Sequence, residues 1–170
     1  MSNCCEYDGV ICNSNAVRLV KLLSDRHLKI AFAESLTGGM LTSMLVDVPG
    51  SSSVLDGSVV SYSNDVKMSK LKVPESVLNS VGAVSAECAV YMAAGVLQLM
   101  LSDFAVSVTG IAGPGGEEPG KPVGTVFIGL ADKSGFNKSY RFVFEGNRTD
   151  VRKATCDKAM ELILSHIENL

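Results

Sequence analysis

Three short apolar runs, each breaking off into polar or glycine-rich sequence, constrain this chain more than any other feature. They are LKIAFA (Leu28–Ala33), VLDGSVVSYS (Val54–Ser63) and FAVSVTG (Phe104–Gly110). The first and third read as strands buried on both faces. In the second, Val60 and Tyr62 share a face by the period of two. Helical stretches separate the runs. Asn13–His27 carries Val17, Val20, Leu22 and Leu23 between charges, an amphipathic pattern. GGMLTSMLVDV opens with two glycines and stops at Pro49-Gly50. NDVKMSKL offers Asn64 as a cap, Pro74 stands where a first helical residue would, and Ser85 opens an apolar helix from Ala86 to Leu101. Ser51–Ser53 reads as loop, as does the Gly/Pro-rich stretch Ile111–Pro122. Val123–Ala131 and Phe136–Gly146 flank a DKSG turn and predict a hairpin, and Arg148–Ile167 predicts a closing helix. Strands alternating with helices, plus one antiparallel hairpin, predict an α/β protein. The expected form is a three-layer α/β/α sandwich around a mixed sheet of about five strands.

The length, 170 residues, suits one compact domain. Residues 1–13 show no clear pattern and are expected as a flexible tail carrying Cys4 and Cys5, with a single domain over 14–170. Hydrophobic residues make up 46% and charged residues 19%, which is globular rather than disordered composition. The net charge of -3 lacks the basic surplus of a nucleic-acid binder, although a local pocket for one phosphate stays open. Cys88–Leu101 is too short to span a bilayer, so no membrane partner is expected. The five cysteines form no C-x-x-C and the two histidines lie far apart, so no metal is expected. An odd cysteine count without a signal peptide predicts a reducing, cytoplasmic setting. Small size and apolar excess predict a homo-oligomer.

Chemistry-bearing residues collect where the runs end. Ser35, in FAESLTGGML, sits between a strand and a helix opening. It suits a helix cap. It equally suits a nucleophile, with the backbone amides of Thr37, Gly38 and Gly39 holding the oxyanion. No histidine is well placed as its base. Lys67, in YSNDVK, can serve if its pKa falls, and Tyr62 lies beside it. Parallel strands would bring these ends together. The TGIAGPGG loop, with Thr109, Gly110 and Gly113, can cradle a phosphate or ribose, or be a plain loop. Arg148, in EGNR, can grip a carboxylate or phosphate, or be a surface residue.

Taken in order, AESLTGG, GSVVSYSNDVK, GAVSAECA, VSVTGIAGPGG, KPVGTVFIGLA and EGNR resemble the C-terminal domain of the CinA family over residues 14 to 167. That domain is known as a nicotinamide mononucleotide deamidase. The resemblance implies a metal-independent and cofactor-free amidohydrolase. Its small-molecule substrate would be nicotinamide mononucleotide, converted to nicotinate mononucleotide and ammonia. The family's serine, tyrosine and lysine match Ser35, Tyr62 and Lys67. Its loop hydroxyl matches Thr109 and its late arginine Arg148. Two positions depart from the family pattern. Leu36 stands where Cys is common, a change expected to concern packing. Asn147 stands where Asp is common, a change expected to loosen Arg148. Full-length members carry an N-terminal nucleotide pyrophosphatase domain, which this sequence is expected to lack. The competing expectation is a non-catalytic module binding a nucleotide or a protein, linked to competence or DNA damage. A third is an amidase for another small carboxamide.

Overall fold

The computed structural model describes residues 4–7 and 10–170. It opens with two short strands, β1 (Cys4–Tyr7) and β2 (Val10–Asn13), paired antiparallel. This corrects the reading of a patternless tail over these residues. A two-stranded ribbon needs only backbone pairing, so it leaves little trace in hydrophobic periodicity. Cys12 is buried, and its thiol donates to the Asp47 carbonyl at 3.2 Å. Helix α1 (Ser14–Asp25) follows, with the Asn13 side chain accepting from the amides of Asn15 and Ala16. It buries Ala16, Leu19, Val20 and Leu23, the stripe that helical spacing dictates.

The main sheet contains β3 (Ile30–Glu34), β4 (Leu55–Val60), β5 (Phe104–Gly110), β6 (Thr125–Asp132) and β7 (Asn137–Val143). Their spatial order is β4-β3-β5-β6-β7. β3 runs parallel to both β4 and β5, while β6 and β7 add antiparallel partners at the far side. The expected mixed sheet of five strands between helical layers is the observed one.

Period-two alternation sorts β3 between two cores. Ile30 and Phe32 face α1, α2 (Met40–Val46) and α6 (Arg148–Glu168). Ala31 and Ala33 face α3 (Asn64–Leu71) and α5 (Ala86–Met100). The second face is built from small residues because α5 comes close. A Cβ on Gly129 would collide with the Ala89 carbonyl of α5. One on Gly95 would collide with the Leu71 carbonyl, so α3 and α5 pack backbone to backbone there. No helix among the described residues is long and apolar enough to cross a membrane.

Several boundaries differ by a residue from the sequence reading. Ser63, not Asn64, caps α3 by accepting from the Val66 amide at 3.3 Å. Pro74 caps α4 (Glu75–Ser80) in extended conformation rather than starting it. Ser51–Ser53 forms a 3-10 turn rather than loop.

Candidate functional site

Because β3, β4 and β5 are parallel, their carboxyl ends open on one edge of the sheet. The segments beyond them are stitched together there. The Ser35 amide donates to the Val108 carbonyl at 3.0 Å, and the Ser61 amide donates to the Glu34 carbonyl at 2.7 Å.

Lys67 reaches into this seam from α3. Its Nζ lies 3.2 Å from Ser35 Oγ and donates to the Ser61 carbonyl at 2.6 Å. Lys67 is 1% exposed, and no carboxylate pairs with it among the described residues. Burial therefore holds its pKa below the ordinary 10.5, with the neighbouring Cys88 acting weakly the other way. Burial also pushes the Cys88 thiol up to about 11, so it stays protonated at neutral pH. The depth of Lys67 follows from the close α3–α5 approach at Gly95.

The turn after Ser35 is held from two sides. Glu34 is fully buried at the end of β3. Its carboxylate accepts from the amides of Gly39 at 2.9 Å, Leu41 at 3.1 Å and Thr42 at 2.8 Å, and from the Thr37 hydroxyl at 2.7 Å. It thereby caps α2, whose N-cap residue Gly39 has no side chain to do so. On the other side, Arg152 of α6 donates from Nε to the Leu36 carbonyl at 3.0 Å and from Nη2 to the Thr37 carbonyl. Of the expected oxyanion donors, the Gly39 amide is engaged by Glu34 and the Gly38 amide donates to the Ser35 carbonyl at 3.2 Å, while the Thr37 amide has no partner among the described residues. The Leu36 amide, next to Ser35, has no partner among the described residues. The Leu36 side chain packs into the core, as expected of a packing substitution.

The outer wall of the site is built by Tyr62 and Arg148. Tyr62 is 63% exposed, and its hydroxyl accepts from Arg148 Nη2 at 3.0 Å. Among the described residues it makes no hydrogen bond to Ser35 or Lys67, so the expected relay position is not the one observed. Arg148 Nη1 donates to the Gly113 carbonyl at 2.9 Å, and no acid pairs with Arg148 among the described residues. Asn147 caps α6 in a reciprocal capping box with Asp150, so Arg148 is held in place despite the departure at 147. Thr109 is 1% exposed and its hydroxyl donates to the Ala83 carbonyl at 2.8 Å, tying the loop before α5. Gly110 is required by close strand packing, since a Cβ there would lie 2.6 Å from the Thr125 carbonyl oxygen. At Gly113, with φ +81, a Cβ would lie 2.7 Å from Val123 Cγ1, so this glycine shapes the wall that holds Arg148.

Sequence reasoning missed Glu34, Ser61 and Arg152. A carboxylate closing a buried apolar run was a usable signal for Glu34, since a buried charge requires donors. Arg152 follows Arg148 by four residues and so shares its helix face. Ser61 contributes only backbone to Lys67 and carried no signal.

The family model of the CinA C-terminal domain matches residues 13–167 of this chain. A CinA-like protein of Endomicrobium trichonymphae is 49% identical over 143 residues, which cover 84% of this chain and 33% of that protein. The chain spans 33% to 36% of the length of the first curated relatives it matches. Among solved structures, the competence/damage inducible protein CihA from Agrobacterium tumefaciens superposes with a TM-score of 0.87 at 37% identity, covering 89% of this chain and 93% of that one. A CinA superfamily protein from Klebsiella pneumoniae superposes with a TM-score of 0.88 at 30% identity, covering 92% and 98%.

Proposed function

This chain belongs to the CinA C-terminal domain family, and from that premise we propose that it is an amidohydrolase converting nicotinamide mononucleotide to nicotinate mononucleotide and ammonia. One observation carries the reading. A buried lysine amine with no acid partner among the described residues lies 3.2 Å from a serine hydroxyl at the open edge of the sheet. An amine in that setting favours its neutral form and can accept a proton.

The neutral Nζ of Lys67 takes the Ser35 hydroxyl proton as Oγ attacks the carboxamide carbon. No relay through Tyr62 is needed at this distance. The tetrahedral oxyanion is met by the Leu36 amide. The Lys67 ammonium then returns its proton to the leaving nitrogen, and ammonia departs. Water, deprotonated by the same amine, hydrolyses the Ser35 ester and releases nicotinate mononucleotide. The chain finishes the cycle in its starting protonation state. General base catalysis of this kind contributes roughly 10²–10⁴-fold.

Arg148 holds the phosphate, since its guanidinium has no acid partner to displace. Tyr62, hydrogen-bonded to it, forms the adjacent wall. Thr109 and the glycine loop set the shape of that wall and leave the ligand bonds to Arg148. The test is to incubate purified protein with nicotinamide mononucleotide and quantify both products. Equal amounts of ammonia and nicotinate mononucleotide support the reading. Saturable binding without ammonia would instead make the chain a binding module.

A further inference from the structure

The two arginines of α6 stand one helical turn apart and grip opposite parts of the site. Arg148 holds the Gly113 carbonyl and the Tyr62 hydroxyl on the outer wall. Arg152, half-buried, holds the carbonyls of Leu36 and Thr37 immediately after Ser35. We propose that Arg152 is a positioning residue for the nucleophile: its guanidinium pins the Ser35 turn so that Oγ stays on Lys67. The inference rests on the reading of Ser35 as nucleophile given above.

The bonding pattern of the turn argues for this role. The turn from Ser35 to Gly39 is neither strand nor helix: among the described residues its Leu36 carbonyl has no backbone donor, and its Thr37 carbonyl has only the Met40 amide at 3.2 Å. Leu36 and Thr37 are both buried, which removes water as a substitute. Their two carbonyls converge on one planar guanidinium, a fork that holds two acceptors at fixed separation. On the opposite side the Glu34 carboxylate collects the amides of Gly39, Leu41 and Thr42. The turn is therefore clamped through its carbonyls by a cation and through its amides by an anion. Glu34 fixes the start of α2 and the Thr37 hydroxyl but reaches neither the Leu36 nor the Thr37 carbonyl. Between Ser35 and Gly38 the turn is also held by the Ser35 amide on Val108, the Gly38 amide on the Ser35 carbonyl and the Met40 amide on the Thr37 carbonyl, but Arg152 is the one partner of the Leu36 carbonyl among the described residues. Arg152 touches no reacting atom, so its effect on chemistry passes through the placement of Ser35.

The test uses the whole chain with Arg152→Met and Arg152→Lys. Two readouts are taken: the rate at which a fluorophosphonate labels Ser35, followed by peptide mass spectrometry, and kcat and KM on nicotinamide mononucleotide. Misplacing a nucleophile by about an ångström costs up to roughly 100-fold, so labelling and kcat should fall by about tenfold to 100-fold in Arg152→Met. KM should stay within about threefold, because Arg148 still holds the phosphate. Arg152→Lys should recover part of the loss, since an ammonium reaches one carbonyl well and two poorly. Labelling and kcat at the wild-type level in Arg152→Met would overturn the proposal. So would a KM that rises as much as kcat falls, the mark of general unfolding of the site. Should Arg152→Met not fold, Arg152→Lys decides: slowed labelling supports the role and wild-type labelling refutes it. A wild-type protein whose Ser35 is labelled but which leaves the mononucleotide intact would refute the substrate reading, and the labelling comparison would still decide the role of Arg152. A Ser35 that no fluorophosphonate labels in the wild type would remove both.

Discussion

Lys67 and Ser35 meet at 3.2 Å across 32 residues of sequence, one delivered by α3 and the other by the end of β3. Nothing local brings them together. The meeting depends on the parallel register of β3 with β4, on the Ser61-to-Glu34 bond at its end, and on the depth at which α5 seats α3.

The first prediction concerns pH. Activity requires neutral Lys67, so kcat/KM should rise with pH through a midpoint below the ordinary lysine value of 10.5. The stability consequence has a definite sign. Burial lowers the native pKa, so between that value and 10.5 the unfolded chain holds a proton that the native protein lacks. Native stability therefore rises with pH across this window, and the cost of burying the charged amine is fully present below it. Lys67→Met should lose at least about 100-fold in kcat. Its stability should lack that rising slope, so urea melts across alkaline pH should move in favour of the wild type as pH increases. Parallel melts for the two proteins would contradict the assignment.

How much of this was readable beforehand follows from the physics of each element. The strands β3 and β5 are covered on both faces, and near-continuous apolar runs advertise that directly. Ser35, Lys67 and Arg148 could be named because they sit where runs end, and resemblance put them in order. The bonding of the Ser35 turn was not readable. It depends on a carboxylate whose partners lie three to eight residues ahead and on an arginine 116 residues away. Without those bonds in view, the amides of Gly38 and Gly39 looked free. Tyr62 and Lys67 are neighbours in sequence, yet the first turns outward to Arg148 while the second turns inward. Period and spacing do not distinguish the two directions once the strand has ended.

The second prediction separates anchoring from chemistry. Arg148→Met should raise KM for nicotinamide mononucleotide by about tenfold to 100-fold, the usual range for losing a charge-assisted hydrogen bond. Its kcat should change by no more than about threefold. On the riboside, which lacks the phosphate, the same variant should behave like the wild type. Tyr62→Phe should raise KM only severalfold and leave the pH midpoint in place. A pH midpoint that moved in Tyr62→Phe would restore the phenol to the proton path.

The third prediction tests how the base is seated. A methyl group on Gly95 has no room beside the Leu71 carbonyl, which is backbone and cannot rotate aside. Gly95→Ala should cost about 1–3 kcal/mol in a denaturant melt, the usual range for overpacking. It should also lower kcat more than KM, because α3 carries Lys67. Full activity in a stably folded Gly95→Ala would mean that the α3–α5 contact does not set the lysine.

The most direct measurement is ammonia release from nicotinamide mononucleotide by the wild type beside Ser35→Ala, with thermal melts to show that both are folded. The account predicts steady release by the wild type and a loss of at least about a thousandfold in the variant, as expected when a covalent nucleophile is removed. A folded Ser35→Ala protein that still releases ammonia near the wild-type rate would contradict it.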